Sequence, residues 1–431
     1  MSITLEIDIA DDLIDVPRRI HAHGLAAGAA QLTVSTTYPD GSVWQSRADY
    51  HITADGTFNP EIACPQSGDW QEAGSMTPVE ALRQVTPPHN PALTDSVLPR
   101  RITFRIEDAR GAVAEAVLIQ RFLAPGVTRR ETREPSGVLF LPAAPGPHPL
   151  VIVLNGSGGG TPEQKAALLA AQGYIGFALA YFKAPGRPAH ISNTPLEYFQ
   201  QAIDWVAREV PIRANFVAVM GHSRGGELAL LLAATFPERI AAVIGYVPSA
   251  VIHGTLRAGA PDEPRDATAW RWRGEPLRNI WQDNPYADWH AFDHPPQPDA
   301  PIRQAPAFIN VERDAQRLAD ARIPVERIRG PVMLISGTDD GFWPSTAWCE
   351  RIVADLKESR WPVIHLCHEG AGHAIGFPWV PTTNIANVHP VAGVRIDGGG
   401  TPSANARANR ESWPQVLTFL TAAVAAHEGK A

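Results

Sequence analysis

The sequence predicts an α/β protein in two parts: an all-β domain over residues 1–124, then a mainly parallel sheet wrapped by helices over 125–431. Three observations carry this reading. From Ile3 to about Phe122 the chain runs in short alternating stretches, ITLEIDI, AQLTVSTTY, RITFRIED and AVLIQRF, parted by Gly, Pro, Asp and Asn clusters. Such period-two runs predict an antiparallel β-sandwich. After Ala124-Pro125-Gly126 the rhythm changes to continuous apolar strands alternating with amphipathic helices, the pattern of a parallel sheet buried on both faces. Finally, Gly221-His222-Ser223-Arg224-Gly225 reads G-x-S-x-G between a buried strand and a helix.

Taken in order, the second part offers the strand VLFLP, the strand LVIVLN ending at Asn155, a Gly-rich turn through Gly160 and the helix TPEQKAALLAAQG. IGFALAY follows as a strand, LEYFQQAIDWVARE as a helix, then the strand FVAVMG, the helix RGGELALLLAATF and the strands AAVIGYV and PVMLISG. Only Ile252 to about Arg313 breaks the alternation, with Trp270, Trp272, Trp281 and Trp289 among many prolines. Loops longer than about 12 to 15 residues are usually functional or disordered, and tryptophans disfavour disorder. The segment is therefore expected to form an ordered cap that shapes a pocket, with Trp281 and Trp289 as candidate substrate-binding residues. The plainer alternative is an insertion that merely packs on the body.

Composition narrows the function. The 431 residues are 44% hydrophobic and 19% charged, which excludes a disordered or fibrous chain. No apolar run approaches the roughly 20 residues of a membrane span, and MSITLEIDIADD carries acids where a signal peptide needs cations. Membrane insertion and export are not expected. A net charge of -8 disfavours a nucleic-acid partner. Cys64, Cys349 and Cys367 are odd in number and scattered, so a reducing cytoplasm fits best.

The chemistry gathers around Ser223. In G-x-S-x-G between strand and helix, small flanking residues permit a sharp turn that lifts the serine hydroxyl above the sheet, with a helix N-terminus beneath it. Its alternative role is a helix N-cap. A nucleophilic serine on an α/β-hydrolase sheet needs an acid and then a histidine further along the chain. After PVMLIS come Asp339 and Asp340, at a strand's C-terminal end where ligands of open sheets collect. The spacing G-x-x-D-x-x-x-P selects Asp340, leaving Asp339 to form the turn or to accept from it. His373, in Glu369-Gly370-Ala371-Gly372-His373, is the base; His222, His365 and His368 are expected to be structural. The run from His368 to His373 has one residue too many for H-E-x-x-H, so no metal is expected. The oxyanion hole falls to the Arg224 amide and to the turn after Asn155, with Ser157 first and Gly158 next. That turn lacks both the G-K-[ST] ending of a phosphate loop and a dinucleotide fingerprint, so no cofactor is expected. Arg313, Arg317, Arg322, Arg327 and Arg329 form the densest basic run, read as a solvated helix face in preference to a phosphate site.

The motifs FLAPGV, GSGGG, ALAYF, LEYFQQAIDW, GHSRGG, IPVERIRGPVMLISGTDDGFWPS, GAGH and Ser412-Trp413-Pro414 span nearly the whole chain. In them it resembles the family of acyl-CoA thioesterases and bile acid-CoA:amino acid N-acyltransferases. The resemblance implies an N-terminal immunoglobulin-like sandwich before an α/β-hydrolase domain, with the catalytic serine, aspartate and histidine at Ser223, Asp340 and His373. It implies an acyl-CoA thioester as small-molecule substrate. In that family the N-acyltransferase carries a cysteine nucleophile and the thioesterases a serine, so Ser223 points to hydrolysis. The chain departs from animal members in its longer Trp-rich insertion and more polar oxyanion turn. Transfer to an amine or alcohol, and hydrolysis of small esters or amides without coenzyme A, are the competing readings. Oligomeric state is not legible.

Overall fold

The first unit begins with β1 (Thr4–Ile7), β2 (Asp11–Leu13), β3 (Ile20–His23), β4 (Gly28–Thr37), β5 (Val43–Ile52) and β6 (Ser67–Gly68). A short helix α1 (Thr77–Glu80) precedes β7 (Arg83–Thr86), β8 (Arg100–Asp108) and β9 (Val113–Arg121). Alternation decides which face is buried: in β4 Ala30, Leu32 and Val34 point inward, and in β8 Ile102, Phe104 and Ile106 do. The main sheet runs β2-β9-β8-β4-β5-β6, with β7 also paired to β5, and β1 pairs with β3 in a sheet of two. Side chains from both sheets share one core with Trp70, Met76, Val79 and Leu82.

The computed structural model describes residues 2–295 and 297–429. The first unit comprises residues up to Ala124 and, in addition, Phe377–Asn384; the second takes Pro125–Gly376 and the chain from Ile385 onward. Sequence places Phe377–Asn384 in the second domain, yet Phe377 sets its ring 5.8 Å from Phe122 and Gln120 Nε2 donates to the Trp379 carbonyl at 3.0 Å. The Thr382 amide donates to Glu80 and the Thr383 hydroxyl to Leu82. Because these bonds join backbone to residues far off in sequence, no local pattern announces them.

The second unit opens with β10 (Thr128–Arg133), β11 (Ser136–Leu141), β12 (His148–Leu154), α2 (Glu163–Ala171), β13 (Ile175–Leu179) and a short β14 (Thr194–Pro195). Then come α3 (Glu197–Glu209), β15 (Ile212–His222), α4 (Arg224–Thr235) and β16 (Ala242–Tyr246). The Trp-rich segment contributes β17 (Trp270–Trp272), β18 (Glu275–Pro276), α5 (Trp289–Asp293) and α6 (Ala305–Val311), and α7 (Ala315–Asp320) leads back to the sheet. The chain continues through β19 (Val332–Gly337), α8 (Ser345–Asp355), β20 (Val363–His368), β21 (Ala386–Val388), β22 (Arg395–Asp397) and α9 (Pro402–Glu428).

Eight strands form one sheet in the order β10-β11-β13-β12-β15-β16-β19-β20. The pairs from β13 to β20 are parallel, while the β10–β11 and β11–β13 pairs are antiparallel, so that β11 alone runs against the other strands of this sheet. This is the α/β-hydrolase sheet predicted from sequence. Strands β13, β16 and β19 are buried at every residue, which is why they lack alternation. Helix α3 buries Tyr198, Phe199, Ala202, Ile203 and Val206 as one stripe, whereas α4 is buried from Arg224 through Ala234. Strand order reverses at β12, so the loops after β12 and β15 lie side by side at the switch point. No helix among the described residues is long and apolar enough to cross a membrane.

The Trp-rich segment is ordered and built into the core. Trp270 joins β14 to β17, and Trp281 is 1% exposed, stacked on half-buried Trp289 at 4.9 Å. Trp281 meets Phe292 and Phe308 edge to face, and its indole N–H donates to His253 Nδ1 at 3.0 Å. Removing that ring leaves a cavity and takes the donor from His253 Nδ1. Trp281→Ala is therefore expected to cost about 3 to 5 kcal/mol, and Trp289→Ala clearly less. Chemical denaturation of both variants checks this, and equal losses would contradict the packing described.

Candidate active site

Ser223 links β15 to α4 at φ 59° and ψ -122°, a conformation that non-glycine residues adopt only where packing enforces it. The enforcement is backbone against backbone. A Cβ on Gly221 would lie 1.8 Å from the Gly225 carbonyl, and one on Gly225 would lie 2.4 Å from the Asn155 carbonyl. The Ser223 amide donates to Tyr246 at 2.9 Å, and its carbonyl accepts from Gly226 and Glu227. Its hydroxyl does not cap α4, so the N-cap alternative falls away.

His373 follows β20, and its imidazole is fixed from several sides. Nδ1 lies 3.0 and 2.9 Å from the two carboxylate oxygens of Asp340, and Phe342 stacks on the ring at 4.3 Å. Asp340 also accepts from the Phe342 and Trp343 amides and from the Ser345 hydroxyl at 2.7 Å. With so many donors it is held as a carboxylate acceptor, so Nδ1 carries the proton and Nε2 is the basic nitrogen. Nε2 is buried and has no hydrogen-bond partner among the described residues. Asp339 turns elsewhere, paired with Arg303 and accepting from the Gly400 amide. The loop itself hangs on α9: Asn405 Oδ1 accepts from the Gly372 amide at 2.7 Å and Asn409 Oδ1 from Gly376 at 2.6 Å. His222 ties the two loops together, its Nε2–H donating to the His373 carbonyl at 2.9 Å.

The other expected residues divide. Ser157, Ser223 and Arg224 line one cavity of about 390 Å³ including its open mouth, and the amides of Ser157 and Arg224 find no acceptor among the described residues. Gly158 lies off this cavity, against the Pro390 ring. Trp281 and Trp289 do not line it either; they back Phe292 and Phe308, which do. The remaining lining comes from Thr255, Leu256, Arg257, Ala258, Gln304, Phe342, Trp343 and His389. The Trp-rich segment thus supplies much of the wall, through phenylalanines and its first turn. His368 bonds Ser412 and His365 bonds Ser336. Arg317, Arg322 and Arg329 pair with acids, and none of the five arginines from Arg313 to Arg329 borders the cavity.

Two groups escaped the sequence reading. His389, between β21 and β22, accepts from the Val391 and Ala392 amides at Nδ1, so Nε2 carries hydrogen and donates to the Ser157 hydroxyl at 2.9 Å. Nothing in its local sequence marks it. Glu227 is fully buried against Arg224 at 3.0 Å and accepts from the Trp270 indole at 2.8 Å. Burial raises its pKa, with Arg224 opposing. A lone carboxylate in the otherwise apolar ELALLLAAT was the available signal.

Known proteins place this arrangement. The family described as "Acyl-CoA thioester hydrolase/BAAT N-terminal region" matches residues 15–134, and "BAAT / Acyl-CoA thioester hydrolase C terminal" matches 194–261 and 298–426. Acyl-coenzyme A thioesterase 1 of Homo sapiens is 30% identical over 96% of this chain and 95% of its own length. Mitochondrial acyl-coenzyme A thioesterase 2 of Homo sapiens is 29% identical over 96% and 83%. Acyl-coenzyme A thioesterase 6 of Mus musculus is 28% identical over 97% and 96%.

Burial sets a pH limit on this region. Desolvation holds His389 down to about 4 and pushes His222 and His253 well below the usual histidine value. In the unfolded chain each titrates near 6.5. Their contribution is complete above about pH 6.5 and is lost as pH falls towards 4, by about 1.4 kcal/mol per pH unit for each histidine protonated only on unfolding. Urea midpoints at pH 7, 6 and 5 should fall steadily, and a flat profile would contradict the neutral burial of these rings.

Proposed function

The chain belongs to the acyl-CoA thioester hydrolase and BAAT family, and on that premise we propose that it hydrolyses acyl-CoA to free acid and coenzyme A. Ser223 is the nucleophile, His373 the general base and Asp340 the group that orients and charges-balances the imidazolium. The observations that carry this reading are a serine held at φ 59° whose hydroxyl does not cap α4, and a histidine bound at Nδ1 by Asp340, with no partner for Nε2 among the described residues, stacked on Phe342, which lines the cavity together with Ser223. As the Ser223 hydroxyl attacks the thioester carbonyl, His373 Nε2 takes its proton. The oxyanion falls to the Arg224 and Ser157 amides, each such donor worth about 3 to 4 kcal/mol in comparable enzymes. The thiolate leaves with the proton from His373, and water activated by the same nitrogen releases the acid.

The acyl-enzyme is an oxygen ester, less electrophilic towards amines than a thioester, which favours water over an amine acceptor. The same membership supports the immunoglobulin-like reading of the N-terminal unit. Three free cysteines, Cys64 and Cys367 among them exposed, support a reducing cytoplasm.

Ser223→Ala is expected to retain less than about a thousandth of wild-type turnover. Asp340→Asn should lose about 10⁴ in kcat, and Asp339→Asn far less; the reverse order would move the acid by one residue. With acyl-CoA and excess glycine or taurine, mass spectrometry should find free acid as the main product. Mostly amide would make this protein a transferase, and preference for p-nitrophenyl esters over every acyl-CoA would remove coenzyme A from the reading.

A further inference from the structure

The cavity behind Ser223 is poorly suited to a plain alkyl chain. Leu256, Ala258, Phe292, Phe308 and Phe342 give it apolar surface, but other lining residues carry buried polar atoms that find no partner among the described residues. These are Arg224 Nε, Thr255 Oγ1, Arg257 Nε and Gln304 Nε2. Apart from the Thr255 hydroxyl, which can do either, every one is a donor. Such groups are costly to bury unpaired, and a hydrocarbon recovers none of that cost.

Charge points the same way. Arg224 faces Glu227 at 3.0 Å, so that pair is balanced. Arg257 and Arg265 both face Asp293, which leaves one positive charge in excess. His389 and His253 are held neutral by burial and answer none of it. Arg257 is fixed rather than mobile: its Nη2 donates to the Phe292 carbonyl at 2.5 Å, and the guanidinium lies 4.4 Å from the Phe292 ring centre. A rigid, surplus guanidinium among unpartnered donors is a receptor for an oxyanion.

We propose that the acyl group taken by this site is short and ends in a carboxylate, received by Arg257 with Gln304 and Thr255, while Arg224 stands nearest the reacting carbonyl. This rests on the thioesterase reading and names its substrate class: the monothioester of a dicarboxylic acid. Arg257 becomes the residue that sets specificity.

The test compares succinyl-CoA and glutaryl-CoA with butyryl-CoA and valeryl-CoA, alongside thermal shifts with free glutarate and valerate. The diacid thioesters should lead in kcat/KM by about a hundredfold or more, because losing the acceptor strands buried donors. Arg257→Met should collapse that ratio by about tenfold or more, mainly through KM for the diacid thioester. Gln304→Leu should lower it in the same sense and guards against misfolding of the first variant. Glutarate should raise the melting temperature of the wild type and not of Arg257→Met. Equal kcat/KM for both classes, or an Arg257→Met loss that is the same for both, would overturn the proposal and leave the thioesterase intact; the latter would place coenzyme A on Arg257. No hydrolysis of any thioester, with a glutarate shift that Arg257→Met abolishes, would support the anion site and sink the thioesterase reading. No hydrolysis and no shift would sink both.

Discussion

At the end of β15 backbone lies directly on backbone, with no side chain between the strand, the start of α4 and the loop after β12. Gly221 and Gly225 have no room for a Cβ, and that contact helps to hold Ser223 in a conformation that its own sterics resist. The rest of the site is arranged around this turn. It sets the hydroxyl at the sheet's switch point, leaves the Arg224 amide at the start of α4 without an acceptor among the described residues, and brings the Asn155 carbonyl and hence the Ser157 loop alongside. Strain of this kind persists because β12, β15 and β16 are buried on both sides of it and cannot yield separately.

Much of this was readable beforehand, for physical reasons that differ between elements. The buried strands and α4 declare themselves because a sheet covered on both faces needs uninterrupted apolar residues. The turn at Ser223 is legible because its geometry demands glycines at fixed spacing, and Asp340 and His373 because each follows a strand of that sheet. What stayed hidden depends on long-range contacts. His389 reaches Ser157 across more than two hundred positions of sequence, and Phe377–Asn384 bonds residues of the first unit. The tryptophans misled for an instructive reason: large indoles fill volume, so Trp281 was drawn into the core and the smaller Phe292 and Phe308 were left to face the cavity.

The polar cluster behind the cavity is a second layer of organisation. Glu227 gathers Arg224, the Trp270 indole and the His253 amide, and His253 passes the chain of bonds on to Ser249 and Trp281. Buried networks of this sort fix one arrangement of the wall, since any other would strand a charge. Helix α4, which begins after Ser223, is thereby tied to the segment that lines the cavity.

The support of His373 from α9 bears on how activity arises during synthesis. Ser223, Asp340 and His373 all leave the ribosome before Asn405 and Asn409, whose side chains pin the histidine loop. Domains fold as units while the chain emerges from its N-terminal side. A nascent chain that has made Ser223, Asp340 and His373 but not yet α9 therefore holds the His373 loop without these two tethers. On the proposed reading, in which His373 is the base, hydrolysis then waits until α9 has packed against the sheet.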